Sequence, residues 1–223
     1  MRRVFVACVS ALSLTAFVGA AAAADLPPRY PPPAYKAPPA YGAYNWTGFY
    51  LGINGGGGWG HSTWDTTGGF DLSGGLLGLT AGYNWQTGPW VFGLEGDVDW
   101  SNIKGTTTVA CAAGCQTANW WLSTVRGRVG YAIDRFMPYV TGGLALGDIR
   151  ASTPGFAGNN TTNAGWTVGA GVEVAIANNW SAKAEYLYVD LGKNNCGLAC
   201  GAAPIDNVSF TAHVLRGGLN YRF

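Results

Sequence analysis

Charged residues are scarce in this chain: Asp, Glu, Lys and Arg make up 11% of its 223 residues, and the formal net charge is +1. No basic field exists that would attract nucleic acid, so that class of partner is disfavoured. After Ala24 no run approaches the roughly 20 apolar residues that a membrane-spanning helix needs. Disorder is excluded as well, because 48% of the chain is hydrophobic and 13% is aromatic.

The N-terminal segment predicts export. Residues 1–24 combine a basic start, Arg2 and Arg3, with an apolar core and a small-residue end, which is typical of a signal peptide. The alternative, a membrane anchor, is disfavoured because the core is short. Removal of this segment takes the Lys and Arg count from 13 to 11 against 12 acidic residues. Residues 25–44 hold most of the eleven prolines and predict an extended periplasmic tether, in preference to a proline-rich ligand.

Residues 45–223 alternate between apolar and polar positions, which is the period of a β-strand. Eight such runs follow one another, and long and short connections alternate between them. The long connections are expected at residues 61–73, 101–119, 148–163 and 192–206. This pattern predicts an all-β, eight-stranded, antiparallel up-and-down barrel. Runs of roughly 9–11 residues suit tilted membrane-spanning strands.

Aromatic residues decide between a soluble and a transmembrane barrel, because alternation alone fits both. A lipocalin-like barrel would turn its apolar face inward, and a membrane barrel would turn it outward. The tryptophans fall near the two ends of the strands, as membrane interfaces select. The predicted girdle contains Trp46, Trp85, Trp90 and Trp180 near the short turns, and Trp100, Trp121 and Trp166 near the long loops. A transmembrane β-barrel is therefore favoured.

The opposite face carries the charges, which would then point into the lumen. The predicted ion-pair network contains Glu95, Asp97, Asp99, Arg126, Arg128, Glu173, Lys183, Glu185 and Arg216, with Arg222 on the same face. Register counting across a three-residue turn places Glu173 opposite Lys183, and an ion pair between them is expected. A packed, neutralised plug is favoured over a charged pore lining, because side chains fill an eight-stranded interior. The many inward glycines would make room for long side chains.

Two pairs of cysteines lie in the expected long loops: Cys111 and Cys115, then Cys196 and Cys200. Oxidising export favours disulfides, within each loop or between the loops, over a four-cysteine metal site. No metal or cofactor is predicted. Ser209 and His213 share the lipid-facing side of the last strand, which is where a rim-located hydrolase would place them. No acid is clearly positioned to orient the histidine, so no enzyme activity is predicted.

Several segments together carry a resemblance: WTGFYLGINGG, TAGYNWQ, GLEGDVDW, GRVGYA, PYVTGGLA, GWTVGAGVE, AEYLYVDLG and LNYRF. They resemble the porin-family, eight-stranded outer-membrane surface proteins of alphaproteobacteria, which are related in fold to the OmpA transmembrane domain and opacity proteins. The resemblance implies an outer-membrane location and contact with lipid and lipopolysaccharide. It also implies that the barrel-assembly machinery recognises the last strand, through Leu215, Leu219, Tyr221 and Phe223.

The resulting functional hypothesis is a structural or surface protein that supports the envelope or binds a host or other ligand. The alternative is a small-solute porin that conducts through the barrel, and a lipid-modifying hydrolase is a remote third. A covalent link between the N-terminus and peptidoglycan is a further hypothesis, because some members of such families are joined in this way.

Overall fold

The computed structural model describes residues 44–64, 68–109, 114–152, 155, 159–195 and 207–223. The predicted signal peptide and all of the tether except Tyr44 lie outside the described residues. No helix in the described part of the chain is long and apolar enough to cross a membrane.

Eight antiparallel strands close into a barrel in which each strand pairs with its sequence neighbours and β1 also pairs with β8. This confirms the predicted fold. The strands are β1 (Gly48–Trp64), β2 (Gly68–Thr87), β3 (Trp90–Thr107), β4 (Cys115–Tyr131), β5 (Phe136–Ser152), β6 (Asn159–Ala175), β7 (Trp180–Asn195) and β8 (Asn207–Arg222). We name the end where β2 turns into β3 the turn end, and the opposite end the loop end.

The strands continue well past the points where loops were expected. β1 extends to Trp64 and β2 starts at Gly68, inside the supposed loop 61–73. The other three expected loops, 101–119, 148–163 and 192–206, are also partly strand. The prediction of short strands was therefore wrong, because the ladder hydrogen bonds continue past the point where the apolar residues of a strand change face.

Side-chain polarity differs between the two halves of the barrel. Towards the turn end the exterior is apolar and the charges are inside. Towards the loop end the interior is apolar, and we name this set the loop-end cluster; its largest members are Trp64, Phe70, Leu72, Leu76, Ile103, Leu122, Ile149, Leu187, Leu191 and Phe210, each at most 9% exposed. The exterior there is polar, as His61, Asp71 and Lys104 illustrate.

A β-bulge marks the change of face on β4. The pairing of β4 with β5 shifts between Ala118 and Leu122. Asp148 on β5 fills this irregularity, since its Oδ1 accepts the backbone N–H groups of Trp120 and Trp121 at 2.8 and 3.0 Å. The bulge brings two consecutive tryptophans towards the outside of the barrel, with Trp120 59% exposed.

Candidate functional site

The lumen of the turn-end half contains the predicted charged residues, and all nine are buried to at least 96%. Five carboxylates face four cations: Glu95, Asp97, Asp99, Glu173 and Glu185 against Arg126, Arg128, Lys183 and Arg216. We name this set the charged layer. Sequence alternation alone located every member, because each lies on the polar face of its strand.

Arg126 is the centre of the charged layer. Its Nη2 lies 2.5 Å from Glu95 Oε1 and 2.7 Å from Asp97 Oδ2, on neighbouring strand β3. Its Nη1 reaches across the lumen to Glu185 Oε2 on β7, at 2.9 Å. Because β4 and β7 are not paired in the sheet, this guanidinium bridges two separate parts of the barrel wall through the interior.

Arg216 makes a second crossing. Its guanidinium donates to Asp99 Oδ2 at 2.6 Å and to Asp97 Oδ2 at 2.8 Å, both on β3. It also donates to Glu185 Oε1 at 2.9 Å. Arg126 and Arg216 therefore share Asp97 and Glu185, so the ion pairs form one connected network. Connected, hydrogen-bonded charges of this kind tolerate burial far better than isolated ones.

The expected ion pair between Glu173 and Lys183 does not form, although the two residues are in register as predicted. Lys183 Nζ instead lies 2.9 Å from Glu95 Oε1. Glu173 binds Arg128 and accepts hydrogen bonds from Ser181 and Asn220. The prediction failed because counting along neighbouring strands considers only the barrel wall. In a narrow barrel, long side chains also reach partners across the lumen.

Arg222, the tenth residue expected on the luminal face, lies near the turn end and outside the charged layer. Its guanidinium carbon lies 4.4 Å from the ring centroid of Tyr44. Burial raises the pKa of the Tyr44 hydroxyl above its ordinary value, while the nearby positive charge of Arg222 opposes the shift.

Two aromatic hydroxyls complete the charged layer. Tyr50 donates to Glu95 Oε2 at 2.7 Å, and Tyr139 donates to Glu185 Oε2 at 3.0 Å. The guanidinium of Arg128 lies over the Tyr139 ring, 4.5 Å from its centroid. The two-residue period of the sequence puts both tyrosines on the luminal face of their strands but does not indicate a role for them. The signal was available, since buried Tyr hydroxyls ordinarily find a hydrogen-bond partner.

Inward glycines give the charged side chains their space, as predicted. A Cβ built on Gly143 would lie 2.1 Å from the carbonyl oxygen of Val125 and 2.7 Å from Cα of Arg126. A Cβ on Gly78 would lie 2.0 Å from Asp99 Oδ1. Any larger residue at these positions would collide with the barrel wall or the charged layer.

Trp46 is not part of the aromatic girdle, which corrects the sequence prediction. It is 2% exposed and packs beneath the charged layer with Val91, Met137, Tyr139 and Ala175, a set that we name the turn-end cluster. Its indole Nε1 donates to the carbonyl of Asp134 at 3.1 Å, and its backbone N–H donates to Gln86 Oε1 at 2.7 Å. The tryptophan precedes β1, so strand alternation does not determine where its side chain lies.

The other predicted girdle residues lie on the outer surface. Five of them are roughly half exposed or more: Trp85, Trp90, Trp100, Trp166 and Trp180. Trp121 is partly buried beside Trp100, its partner across the β3–β4 ladder. The residues predicted as the insertion signal also point outward, with Leu215 55% and Phe223 67% exposed.

The predicted cysteine, serine and histidine sites lie only partly within the described residues. Cys115 is disulfide-bonded, whereas Cys111, Cys196 and Cys200 lie outside the described residues, so the pairing stays a prediction. His213 Nδ1 is 2.6 Å from the Tyr186 hydroxyl, and the Ser209 hydroxyl donates to the Thr63 carbonyl at 3.5 Å. Within the described ranges, no group of three or more His, Cys, Asp or Glu residues is arranged to hold a metal ion.

Comparison with known proteins gives consistent matches. Residues 9–223 match the model of the outer membrane protein beta-barrel domain. The chain is 38% identical to the 31 kDa outer-membrane immunogenic protein of Brucella melitensis, over the full length of both chains. It is 36% identical to the 22 kDa outer membrane protein of Rhizobium leguminosarum, over 74% of this chain and 73% of the relative.

Among solved structures, the barrel is similar to Neisserial surface protein A. The sequence identity is 18% and the TM-score is 0.48, over 79% of this chain and 98% of that protein.

Proposed function

This chain belongs to the family of outer membrane protein beta-barrel domains, and we propose that it is a structural surface protein whose lumen is closed to solutes. Its location is the outer membrane of a Gram-negative cell, as for its named relatives. The loop end accordingly faces the exterior of the cell and the turn end faces the periplasm.

The observation that carries the proposal is the filling of the lumen by three successive layers. The turn-end cluster lies at the periplasmic mouth, the charged layer lies in the membrane, and the loop-end cluster lies above it. A solute would have to separate the ion pairs of Arg126 and Arg216 and then open a close-packed apolar core. Such rearrangements are costly, because charges separated in a dry interior lose their stabilisation.

The second candidate is a small-solute porin, and the charged lining is the observation that favours it. Conduction would require the arginines of the charged layer to move aside. Their ion pairs oppose such a movement, because Arg126 and Arg216 each bind three carboxylates at 2.9 Å or less.

A planar bilayer experiment distinguishes the two candidates. The purified barrel is incorporated at a known protein density, and insertion is verified by heat-modifiable electrophoretic mobility of the recovered protein. We expect no reproducible single-channel steps. Steps of constant size from the native protein that change on charge reversal at Glu95 or Arg126 would instead establish a pore. As a matched control, charge reversal at the exposed, loop-end residue Lys193 should leave any step size unchanged.

A lipid-modifying hydrolase is not supported by the arrangement on β8. Among the described residues, the side chain of His213 hydrogen-bonds to a tyrosine, and that of Ser209 hydrogen-bonds to a backbone carbonyl. A serine hydrolase instead needs the histidine within reach of the serine and a third group that orients it. We therefore propose no enzymatic reaction for this protein.

The two ends of the chain suggest contacts with the envelope. We propose that the barrel-assembly machinery recognises β8 through the outward residues Leu215, Leu219, Tyr221 and Phe223. Assembly assays on Phe223→Ala test this, and an unchanged rate of insertion would contradict it. The link of the N-terminus to peptidoglycan also stays a proposal, and the segment concerned lies outside the described residues. Muramidase-digested envelopes without an amine-modified terminal peptide would exclude that link.

A further inference from the structure

The outer surface of the barrel carries a basic pair just beyond the loop-end girdle. Lys104 on β3 and Arg150 on β5 both lie in register with Ala118 on β4, which stands between them. Lys104 is exposed, and the Arg150 side chain is 41% exposed. Two cations therefore flank a small residue on the outside of the wall, where the middle strand leaves a depression.

Arg150 is held in place by its neighbours. Its guanidinium carbon lies 4.4 Å from the ring centroid of Trp120, and its Nε donates to Asp148 Oδ2 at 2.8 Å. The other oxygen of Asp148 accepts two backbone N–H groups in the bulge. Among the described residues, Arg150 donates a side-chain hydrogen bond only through Nε, so its two Nη nitrogens are available to a ligand. A planar guanidinium fixed in this way is suited to binding a phosphate through two donors.

A groove of about 290 Å³ runs beside this guanidinium. Among the described residues, its lining has polar groups and one exposed indole but no carboxylate, and it includes Gln116, Ala118, Trp120, Arg150, Ser152 and Asn160. Amide and hydroxyl groups next to an aromatic face are the usual components of a site for a sugar, since the ring gives apolar contact and the polar groups fix orientation. Lys104 and Arg150 each carry a positive charge and Asp148 carries a negative one, so the net charge around the groove is +1.

The position of the groove relative to the aromatic girdle shows which layer of the membrane surrounds it. Trp100 and Trp121 are paired across β3 and β4 and form part of the outer girdle. On the loop-end side of the register shift between Trp100 and Ile103, the same ladder pairs Lys104 with Ala118. Aromatic girdles mark the boundary between hydrocarbon and head groups. The basic pair therefore lies at the level of the head groups of the outer leaflet, on the face that touches lipid.

We propose that Lys104, Arg150 and Trp120 form a binding site for the phosphorylated sugar head group of lipopolysaccharide, the lipid of this leaflet. The two cations bind the phosphate, as basic pockets at membrane interfaces do for anionic head groups. The exposed Trp120 ring packs against the sugar, and Gln116, Ser152 and Asn160 are available to its hydroxyls. The site is on the outside of the barrel, so the proposal does not depend on whether the lumen conducts.

The test uses the full processed barrel in detergent micelles, with native mass spectrometry as the readout. The probes are bisphosphorylated lipid A, the same lipid A after enzymatic dephosphorylation, and a water-soluble glucosamine phosphate. The variants are Lys104→Glu with Arg150→Glu, and as a matched control Lys193→Glu, a basic residue on β7 at the loop end but outside the groove. Heat-modifiable mobility confirms that each variant is folded.

We expect the native protein and the Lys193→Glu control to bind bisphosphorylated lipid A with equal affinity. We expect the double variant to bind it at least about tenfold more weakly, because each basic residue near a membrane surface contributes appreciably. Dephosphorylated lipid A should bind at least about tenfold more weakly than the intact lipid to the native protein, with little further loss in the double variant.

Three results would overturn the proposal. The first is equal binding of the two lipids to the native protein, and the second is an equal loss in the double variant and the control. The third is binding of the soluble glucosamine phosphate as tightly as lipid A, which would mean that the site takes a free glycan. If the double variant does not fold, Lys104→Glu with Trp120→Ala tests the same groove without removing the Arg150 contact to Asp148.

Discussion

Lys183 donates to both carboxylate oxygens of Glu95, at 2.9 and 3.0 Å, from a strand that is not paired with the strand of Glu95. The residue directly opposite Lys183 on the neighbouring strand, Glu173, has other partners. A contact through the lumen has thus replaced the contact along the wall.

A pair of double-mutant cycles measures this exchange. For Glu95→Gln with Lys183→Met we expect a coupling of about 1–3 kcal/mol in the free energy of unfolding, because the two groups hydrogen-bond in a buried site. For Glu173→Gln with Lys183→Met we expect a clearly smaller coupling. Urea unfolding of the barrel in lipid vesicles, followed by tryptophan fluorescence, gives both values. A larger coupling for the Glu173 cycle would show that the neighbouring-strand pair is the real one.

Asp99→Asn should stabilise the protein, although it removes a buried charge that is paired. The charged layer has one carboxylate more than it has cations, and Asp99 Oδ1 and Asn54 Oδ1 have no hydrogen-bond partner among the described residues. Asp99 Oδ1 lies against Gly78, which faces Asn54 in the ladder. The new amide would make the numbers of anions and cations in the charged layer equal, and it would supply a hydrogen-bond donor on the side that faces Gly78. We expect the free energy of unfolding to rise by about 1 kcal/mol.

Glu173→Gln is the control for that gain. Its carboxylate already accepts hydrogen bonds from Arg128, Ser181 and Asn220, so loss of its charge should lower the free energy of unfolding. Both variants are compared in the same urea titration. If Asp99→Asn destabilises the barrel as much as Glu173→Gln does, the prediction is wrong and the fifth carboxylate of the charged layer does not reduce stability.

Gly143→Ala and Gly142→Ala form a matched pair of neighbours on β5. At Gly143 the new methyl group would lie 2.1 Å from a backbone oxygen, and at Gly142 the nearest atom lies 3.5 Å away. We expect a loss of roughly 1–3 kcal/mol for the first, from overpacking, and no loss or a small gain for the second. Thermal unfolding monitored by heat-modifiable mobility ranks the two. Equal effects would mean that both methyl groups meet the same surroundings.

Trp46→Phe should be far more costly than Trp85→Phe. Trp46 is 2% exposed and its indole N–H hydrogen-bonds to Asp134, whereas Trp85 is 61% exposed on the outer surface. The first change leaves a gap and an unsatisfied carbonyl, for a loss of about 2 kcal/mol. The second keeps an aromatic ring at the interface, and we expect less than about 1 kcal/mol. The midpoints of urea unfolding measure both losses of stability. A larger loss for Trp85→Phe than for Trp46→Phe would contradict the buried position of Trp46.

The sequence predicts the wall of the barrel well because a strand has only two faces. Leu215, Leu219 and Tyr221 alternate with Arg216 and Asn220, and the structure places them outside and inside respectively. The period of two also located each member of the charged layer. These features are local, so they can be derived from one strand at a time.

Contacts across the lumen cannot be derived in this way. The partners of Arg126 lie on β3 and β7, and the choice depends on how long side chains share a narrow space. The position of Trp46 likewise follows from packing outside the strands. These are properties of the closed barrel as a whole.

The change of polarity towards the loop end was visible in the sequence, but it was not interpreted as the point where a strand leaves the membrane. On β8 the buried apolar residues are Val208, Phe210 and Val214, at even positions, and the outward ones from Leu215 onward are at odd positions. The strand continues through this change of phase. A switch of the apolar face inside one strand therefore indicates where a barrel leaves the membrane.

The strands have 16 to 20 residues, which is more than the hydrocarbon layer requires. At roughly 3.3 Å per residue and a tilt of about 40°, they rise about 40–50 Å, against an apolar band of about 25 Å. The loop-end tips of the strands thus stand about 15 Å or more beyond the hydrocarbon layer. A macromolecule that approaches the cell would touch those tips before it reached the lipid.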